Sequence, residues 1–311
     1  MAEWIECSIG DLCSTISDTY KGNDEYVVLV NTSDVLEGKV LNHETVANKN
    51  LKGQFKKTFK RDDILYSEIR PANKRFAYID FENTSNYIAS TKLMVLRHNE
   101  KVLPEYLFAL LKSNYVIAEL QHLAETRSGT FPQITFSSEL APMKVFLPDK
   151  DTQIRIVSIL SSIEQKIDKN NEINNNLEQQ TQAIYSRMFI EHRQESWSTG
   201  QLSDLISVKY GKDHKKLADG NYPVYGSGGI IRYVEKPLHT GESVLIPRKG
   251  TLNNVIYVNE AFWSVDTMFY TEMLHPNIAK FVYHFVKSKD LASLKKLLCV
   301  RLISADSNFW D

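Results

Sequence analysis

A long stretch without glycine or proline constrains this chain more than any other feature. It runs from Asp151 to Trp197. Between positions 156 and 188, mostly apolar residues recur at alternating spacings of four and three, which would place them in one row, or seam, along a helix. Such a heptad pattern predicts one helix of roughly 40 residues, about 60 Å long at 1.5 Å per residue. We expect Asp151, which follows Pro148, to cap its start. A helix of this kind needs a partner helix, because it cannot bury its apolar seam alone.

The seam of this helix is expected to make the pairing contacts. Its candidate residues are Ile156, Leu160, Ile163, Ile167, Asn170, Leu177 and Ile184. The polar residues Asn170 and Asn174 lower the stability of such a pair but fix its register and partner. The alternative is an ordinary core helix of one large domain, which the length of the stretch argues against.

Two similar halves flank the predicted helix. Trp4 and Trp197 each begin the pattern Trp, four residues, aliphatic residue, small residue, Asp-Leu. The runs DDILYSEIRP and GESVLIPRKG follow and reach Arg70 and Arg248, and PEYLFALLKS is later echoed by AKFVYHFVKS. Three matches in one order predict an internal duplication. Only the first half continues through a Gly-x-x-Pro-x-Ile segment into the long helix.

The predicted fold class is α/β, with two similar domains separated by a long, coiled-coil-forming α-helix. The predicted boundaries are 1–149 for the first domain, 150–195 for the helical spacer, 196–298 for the second domain and 299–311 for a short tail. Strands are expected at 26–30, 63–66, 76–80, 92–96, 244–247, 255–258 and 268–271, and further helices at 104–122 and 276–297.

The composition is that of an ordinary globular protein, with 42% hydrophobic and 24% charged residues among 311. No apolar run is long enough to cross a bilayer, and the N-terminus does not resemble a signal peptide. The three cysteines fit neither a disulfide framework nor a zinc site, which indicates reduced thiols. We therefore expect a cytoplasmic protein without membrane association.

Catalytic motifs are missing from the sequence. No phosphate-binding loop and no dinucleotide fingerprint occurs. Asp62 or Asp63, together with Glu68 and Arg70, superficially resembles the acidic pair of a metal-dependent nuclease, but the second half has no acid at the matching position. A duplicated enzyme should duplicate its chemistry, so we predict neither a catalytic residue nor a metal site.

The polar loops of the two halves suit DNA recognition, because Arg, Lys, Asn, Gln, Ser and Thr side chains contact base edges and phosphates. The net charge of −1 gives no overall basic footprint, although eight basic and three acidic residues lie between Lys52 and Arg75. The first-half candidates are Arg70, Asn73, Lys74, Arg75, Arg127, Ser128, Thr130 and Gln133, and the second-half candidates are Tyr225, Ser227, Arg248, Lys249, Asn253 and Asn254. A plain glycine turn remains the alternative for YGSGG, and a solvated surface for the arginines.

This layout resembles the specificity subunits of Type I restriction–modification enzymes. YPVYGSGGI, IPRKGT and FWSVDTMFY resemble a target-recognition domain of that family, and SGTFPQI followed by APMKVFLPDKDTQIRIVSILSSIEQKID resembles its shared helical region. The resemblance implies a non-catalytic subunit with two target-recognition domains, each of which reads half of a bipartite site in double-stranded DNA.

The same resemblance implies the partners. Methyltransferase subunits would dock on the helical region and supply S-adenosylmethionine chemistry, and a restriction subunit would use ATP and magnesium, so that this chain binds no cofactor itself. A second helical region is not recognisable after the second half, which implies self-association, or pairing with another specificity fragment, through the long helix. The alternative is a non-enzymatic dimeric scaffold that binds protein through that helix.

Overall fold

The computed structural model describes residues 4–49, 53–127, 130–291 and 293. Contacts divide the chain into two units, Met1–Lys169 and Asn170–Asp311, and the division falls inside the long helix. The predicted tail at 299–311 and the candidate Ser128 lie outside the described residues.

The first unit combines short strands with two helices and the start of the long helix. Its strands are β1 (Ile5–Ser8), β2 (Cys13–Ile16), β3 (Tyr26–Val30), β4 (Val35–Leu36), β5 (Lys39–Val40), β6 (Thr45–Ala47), β7 (Phe55–Lys57), β8 (Ile64–Ser67), β9 (Phe76–Tyr78), β10 (Tyr87–Ser90), β11 (Leu93–His98) and β12 (Lys144–Leu147). Its helices are α1 (Pro104–Leu111), α2 (Asn114–Arg127) and the N-terminal part of α3 (Lys150–Ser186).

Two four-stranded sheets form the centre of this unit, in the orders β2-β11-β8-β9 and β6-β3-β10-β7. Successive side chains of a strand point to opposite faces. In β11, Met94 and Leu96 therefore enter one core together with α1 and α2, whereas Leu93 and Val95 enter a second core that also contains Val28. Burial on both faces explains why β8 and β11 are continuous apolar runs in the sequence.

The second unit contains one six-stranded sheet and a packed helix. Its elements are β13 (Ile206–Tyr210), β14 (Tyr222–Gly226), β15 (Gly229–Val234), β16 (His239–Pro247), β17 (Ile256–Ser264), β18 (Met268–Met273) and α4 (Ala279–Lys287). The strand order is β13-β18-β16-β17-β14-β15, and β14 runs parallel to β17.

Strand order shows that the two units repeat one plan. The series β13-β18-β16-β17 matches β2-β11-β8-β9, antiparallel throughout. In addition, β14 pairs in parallel with the end of β17 and antiparallel with β15, as β3 does with β10 and β6. The prediction of two similar α/β domains with a long helix between them is confirmed.

The start of the long helix differs from the prediction. Helix α3 begins at Lys150, and the Asp149 carboxylate accepts a 2.8 Å hydrogen bond from the Thr152 N–H. Asp149 therefore caps the helix, and Asp151 lies in its first turn. The Asp149 pKa is lowered, chiefly by this hydrogen bond.

Two further helix predictions differ from the structure. The region predicted as one helix at 104–122 is divided into α1 and α2, because Ser113 accepts a hydrogen bond from the Val116 N–H (3.3 Å) and starts a new helix. Of the predicted helix at 276–297, Ala279–Lys287 forms α4, whereas 276–278 and 288–291 are not helical. Positions 292 and 294–297 lie outside the described residues.

Candidate nucleic-acid interface

Three segments of the first unit meet at one surface, which we call the first loop cluster. They are residues 31–34, 70–75 and 130–133. The Arg70 N–H donates to the Pro132 carbonyl over 3.0 Å, and the Arg75 Nη1 donates to the Ser33 carbonyl over 3.0 Å. These bonds join the two segments that carry the first-half candidates and add the segment 31–34.

The backbone of the 70–75 loop is held in a tight shape. Arg70 and Lys74 both adopt left-handed conformations, with φ of 46° and 52°, on either side of the turn Pro71–Asn73. The Ala72 N–H donates to the Gln121 side chain of α2 over 3.0 Å. Non-glycine residues rarely adopt positive φ, and such positions cluster where a loop shape serves a ligand.

The charged candidates of this cluster differ in their availability. Arg75 also donates to the Val35 carbonyl, Lys74 pairs with Glu37 at 3.2 Å, and Arg127 pairs with Glu139 at 3.1 Å. Arg70 is exposed, and within the described residues its guanidinium has no ion pair or hydrogen bond. It is therefore the cation of the first loop cluster that is ready to meet an anion.

The neutral candidates lie around Arg70. Asn73 and Thr130 are exposed, and Gln133 is half-buried. Gln133 forms a bridge with Ile69, so its backbone is fixed next to Arg70. These side chains offer donors and acceptors on one surface, as reading of base edges requires.

The second unit has a corresponding surface, the second loop cluster, which consists of residues 226–229 and 248–254. Ser227 and Gly228 form the turn between β14 and β15, and Gly229 has φ of 113°. YGSGG is therefore the tip of a β-hairpin. The Asn254 Nδ2 donates to the Ser227 carbonyl over 2.8 Å and joins the two segments.

Gly250 allows the close approach of these segments. Its φ is 81°, and a Cβ at this position would lie 2.5 Å from the Ser227 Oγ. A larger residue would therefore strain the backbone and require the Ser227 hydroxyl to move.

Tyr225, a second-half candidate for DNA contact, lies inside the domain. It is 8% exposed, and its hydroxyl donates to the Glu260 carboxylate over 2.6 Å. Burial, and then this hydrogen bond, raise the Tyr225 pKa. These contacts favour a supporting position beneath the hairpin, whereas the Tyr233 ring is exposed at 49%.

Of the two neighbouring cations in the second loop cluster, Arg248 has contacts within the protein and Lys249 is available for a ligand. The Arg248 Nη1 donates to the Asp266 carbonyl over 3.0 Å, and its guanidinium lies about 5 Å from the ring centroids of Tyr210 and Phe269. Lys249 is exposed, and within the described residues it has no ion pair or hydrogen bond. Asn253 donates to Asp290 over 3.1 Å.

The sequence predicted a loop at 31–34 but did not assign this loop to the candidate interface. Tyr26 aligns with Tyr222 and Val28 with Val224, and both valines pair at the start of the parallel ladders. Asn31 and Thr32 therefore correspond to Ser227 and Gly228 at the hairpin tip. The shared Tyr-x-Val spacing was the signal that could have identified this loop.

The acidic residues that superficially suggested a nuclease have structural partners. Asp63 is buried and accepts two 2.7 Å hydrogen bonds from Arg97, and Glu68 pairs with Lys92 at 3.5 Å. Among the described residues, no group of three or more His, Cys, Asp or Glu side chains could hold a metal ion. None of the described helices is long and apolar enough to span a membrane.

The predicted pairing seam of α3 is largely exposed. Leu160, Ile163, Ile167, Leu177 and Ile184 have exposed fractions of 38%, 50%, 54%, 53% and 57%, and Asn170 is exposed as well. Ile156 differs, because it packs against the core of the first unit. A row of exposed apolar side chains of this length marks an interaction surface.

Comparison with known proteins places the chain in a family of DNA specificity subunits. The sequence model of the Type I restriction modification DNA specificity domain matches residues 1–179 and 194–302. The specificity subunit of the Type I restriction enzyme HindI from Haemophilus influenzae is 43% identical over 211 residues, which are 67% of this chain and 46% of that protein. The chain thus matches about half of the length of this relative.

Solved structures share the fold. The S subunit of a Type I restriction-modification system from M. genitalium is 18% identical, with a TM-score of 0.51, over 98% of this chain and 81% of that one. A chain from a structure of a type I R-M system complex is 18% identical, with a TM-score of 0.50, over 94% of this chain and 81% of that one.

Proposed function

The chain belongs to the Type I restriction modification DNA specificity family, and from this premise we propose that it recognises a bipartite site in double-stranded DNA and directs a methyltransferase and nuclease complex to it. Each domain reads one half-site with its loop cluster. The chain itself performs no bond-making or bond-breaking step.

The observation that carries this proposal is the equivalence of the two loop clusters. In each unit, a loop after a central strand is bonded to the loop after the parallel strand, through Arg75 and Ser33 in the first and Asn254 and Ser227 in the second. Each cluster also contains one exposed cation without a partner among the described residues, Arg70 or Lys249. Rigid polar loops with free cations suit phosphate and base contacts.

The partners follow from the family. We expect methyltransferase subunits, which use S-adenosylmethionine, and a restriction subunit, which uses ATP and magnesium. We also expect α3 to take part in assembly through its exposed seam, either with another specificity fragment or with a copy of this chain. The length of α3 is expected to set the number of unread base pairs between the half-sites.

A mobility-shift assay with and without the methyltransferase subunits tests the proposal. We expect salt-sensitive binding of DNA by the assembled complex, because phosphate contacts release counterions. Sequencing of methylated motifs in cells with and without this gene then identifies the site. If no motif disappears with the gene, this chain does not direct methylation.

The same assay separates the alternatives. A dimeric protein-binding scaffold, favoured by the exposed seam of α3, would show absent or salt-insensitive DNA binding with and without the partner. A metal-dependent nuclease would cleave DNA with magnesium alone, without any other subunit.

A further inference from the structure

Large hydrophobic side chains are exposed on the strand that follows the hairpin tip of the second unit. Ile230, Ile231 and Tyr233 of β15 have exposed fractions of 48%, 54% and 49%. Ile230 comes directly after Gly229, the last residue of the tip, and a strand rises by only about 3.3 Å per residue. The two isoleucines, which we call the apolar pair, therefore border the second loop cluster.

A bulge in β15 accompanies the exposure of both isoleucines. Val224 of β14 lies opposite Arg232. The next residue of β14, Tyr225, lies opposite Ile230, so that among the described residues of β14 none lies opposite Ile231. Adjacent side chains of a regular strand point to opposite faces, whereas a bulge bends the strand and turns a side chain in a new direction. The bulge thus presents the apolar pair at the surface.

The shared fold of the two units does not require the apolar pair. In the first unit, Val28 lies opposite Thr45, as its counterpart Val224 lies opposite Arg232 in the second. The two residues before Thr45 therefore correspond to the apolar pair, and they are a histidine and a glutamate, both exposed, at 43–44. Similar domains that read different half-sites should differ at the residues that contact bases, and this place differs from polar to apolar.

The apolar pair adjoins the polar groups of the second loop cluster. A Cβ at Gly226 would lie 3.5 Å from the Ile231 Cγ2, so the Ile231 side chain lies beside the last residue of β14. The next residue, Ser227, is bonded through its carbonyl to Asn254 of the loop that carries the exposed Lys249. An apolar surface and a cation thus belong to neighbouring parts of one surface.

The major groove of DNA offers such a surface one apolar group, the C5-methyl of thymine. The other groups that base pairs present there are hydrogen-bond donors and acceptors, which an isoleucine side chain cannot pair with. A two-stranded β-ribbon also fits this groove, which is about 12 Å wide. Exposed isoleucines next to a hairpin tip and a polar loop therefore suit contact with thymine.

We propose that Ile230 and Ile231 read the methyl group of a thymine in the half-site of the second unit. The first unit, with polar residues at 43–44, makes no methyl contact at the corresponding place. This contact presupposes that the second unit reads DNA, and it therefore rests on the function proposed above. It adds the chemical class of one base in one half-site and the two side chains that select it.

Replacement of thymine by uracil in the target DNA tests the contact, because uracil keeps every hydrogen-bonding group and lacks only the methyl group. The probe is a duplex with the motif found by sequencing of methylated DNA, in which the thymines of both half-sites are replaced one at a time. The half-site of the second unit is the one that changes when residues 248–254 are exchanged. For the complex of this chain with its methyltransferase subunits, one replacement in that half-site should weaken binding about fourfold, the effect of one buried methylene-sized group.

Serine variants locate the contact on the protein. In the double variant Ile230→Ser/Ile231→Ser, the penalty for uracil should disappear, because no apolar surface remains to meet the methyl group. Leu274→Ser is the matched control and should keep the penalty. Leu274 is 53% exposed, but it follows β18 at the end away from Met268, which lies opposite Pro247 beside the second loop cluster.

Three results would contradict the assignment while motif-specific binding, and with it the proposed function, persists. They are a half-site of the second unit without thymine, equal affinity for every uracil duplex, and a uracil penalty that is unchanged in the double variant. Release of methyltransferase subunits from the double variant would likewise overturn it, because the isoleucines would then contact protein. Absence of any sequence-specific DNA binding by the parent complex would overturn the proposed function and this contact together.

Discussion

The Asn254 amide donates a 2.8 Å hydrogen bond to the Ser227 carbonyl and fixes the hairpin tip to the loop that carries Lys249. The first unit achieves the same contact with Arg75, whose guanidinium donates to the Ser33 carbonyl over 3.0 Å. In each domain, one side chain thus joins two loops of the candidate surface. Substitutions can therefore separate residues that hold this surface from residues that contact DNA.

Asn254→Ala is expected to loosen the second loop cluster. Loss of one side-chain hydrogen bond to a half-buried carbonyl costs about 1 kcal/mol, or about 2–4 °C in the unfolding temperature. Calorimetry measures this change, and a DNA titration of the complex should show weaker binding. Asn259→Ala is the control, because Asn259 is exposed on β17; an equal effect of both variants would remove the assigned contact.

Arg70→Ala is expected to weaken DNA binding without lowering stability, because Arg70 has no partner among the described residues. The slope of log affinity against log salt should fall by about 0.9 for one lost phosphate contact. Arg75→Ala is the counterpart: it removes two bonds to backbone carbonyls, so it should lower the free energy of unfolding by about 1–3 kcal/mol. Salt titration and chemical denaturation measure the two effects. The reverse pattern would contradict the assignment.

Lys249→Ala and Arg248→Lys separate charge from geometry in the second loop cluster. Lys249→Ala should weaken DNA binding only through the loss of a salt-dependent phosphate contact and should leave stability unchanged. Arg248→Lys keeps the charge but loses the planar group that lies over Tyr210 and Phe269, so it should lower stability by about 0.5–1 kcal/mol. Thermal unfolding and DNA titration of both variants provide the check. An Arg248→Lys protein as stable as the parent would show that the ring contacts contribute little.

The His284 ring of α4 makes a 2.9 Å hydrogen bond with the Gln182 side chain of α3 and gives this contact a pH dependence. Burial lowers its pKa from the ordinary 6.5, so the unfolded chain binds this proton more readily than the folded chain. The contribution of neutral His284 to the free energy of unfolding is therefore complete above pH 6.5, the ordinary pKa of histidine, and is lost progressively as the pH falls below 6.5. Hydrogen bonds, first from Lys287 and then from Tyr283, lower the Glu178 pKa below its ordinary 4.5, so that loss follows only in more acidic solution.

The variant His284→Gln should therefore flatten the change in unfolding temperature between about pH 7.5 and about pH 5.5. His275→Gln is the matched control, because His275 is exposed. A parent protein whose stability does not change over this range would contradict the role of burial at His284.

Much of the architecture could be predicted from local sequence. The predicted strand at 26–30 is rich in β-branched residues and the one at 92–96 is largely apolar, and the structure has β3 at Tyr26–Val30 and β11 at Leu93–His98. The heptad pattern predicted α3 because its period persists over many turns. The strands β14 and β15 were not among the predicted strands, because a proline and a glycine cluster interrupt the pattern that identifies a strand. A glycine turn between strands was the alternative for YGSGG, and the structure has this turn.

The candidate surface was only partly predictable. The sequence indicated which loops are polar, and the structure brings the loops of each half together. The sequence did not indicate that Arg75 donates to the Ser33 carbonyl, 42 positions away. It also did not indicate that Tyr225 is buried. Such partners depend on tertiary contacts, which no local pattern contains.

The central claim is that each loop cluster reads its own half of one bipartite motif. The most direct measurement exchanges residues 248–254 for the matching loop of another family member and sequences the methylated motifs of the resulting cells. We predict that one half-site changes while the other half-site and the number of base pairs between them stay the same. A change in both half-sites, or in neither while methylation persists, would contradict the account.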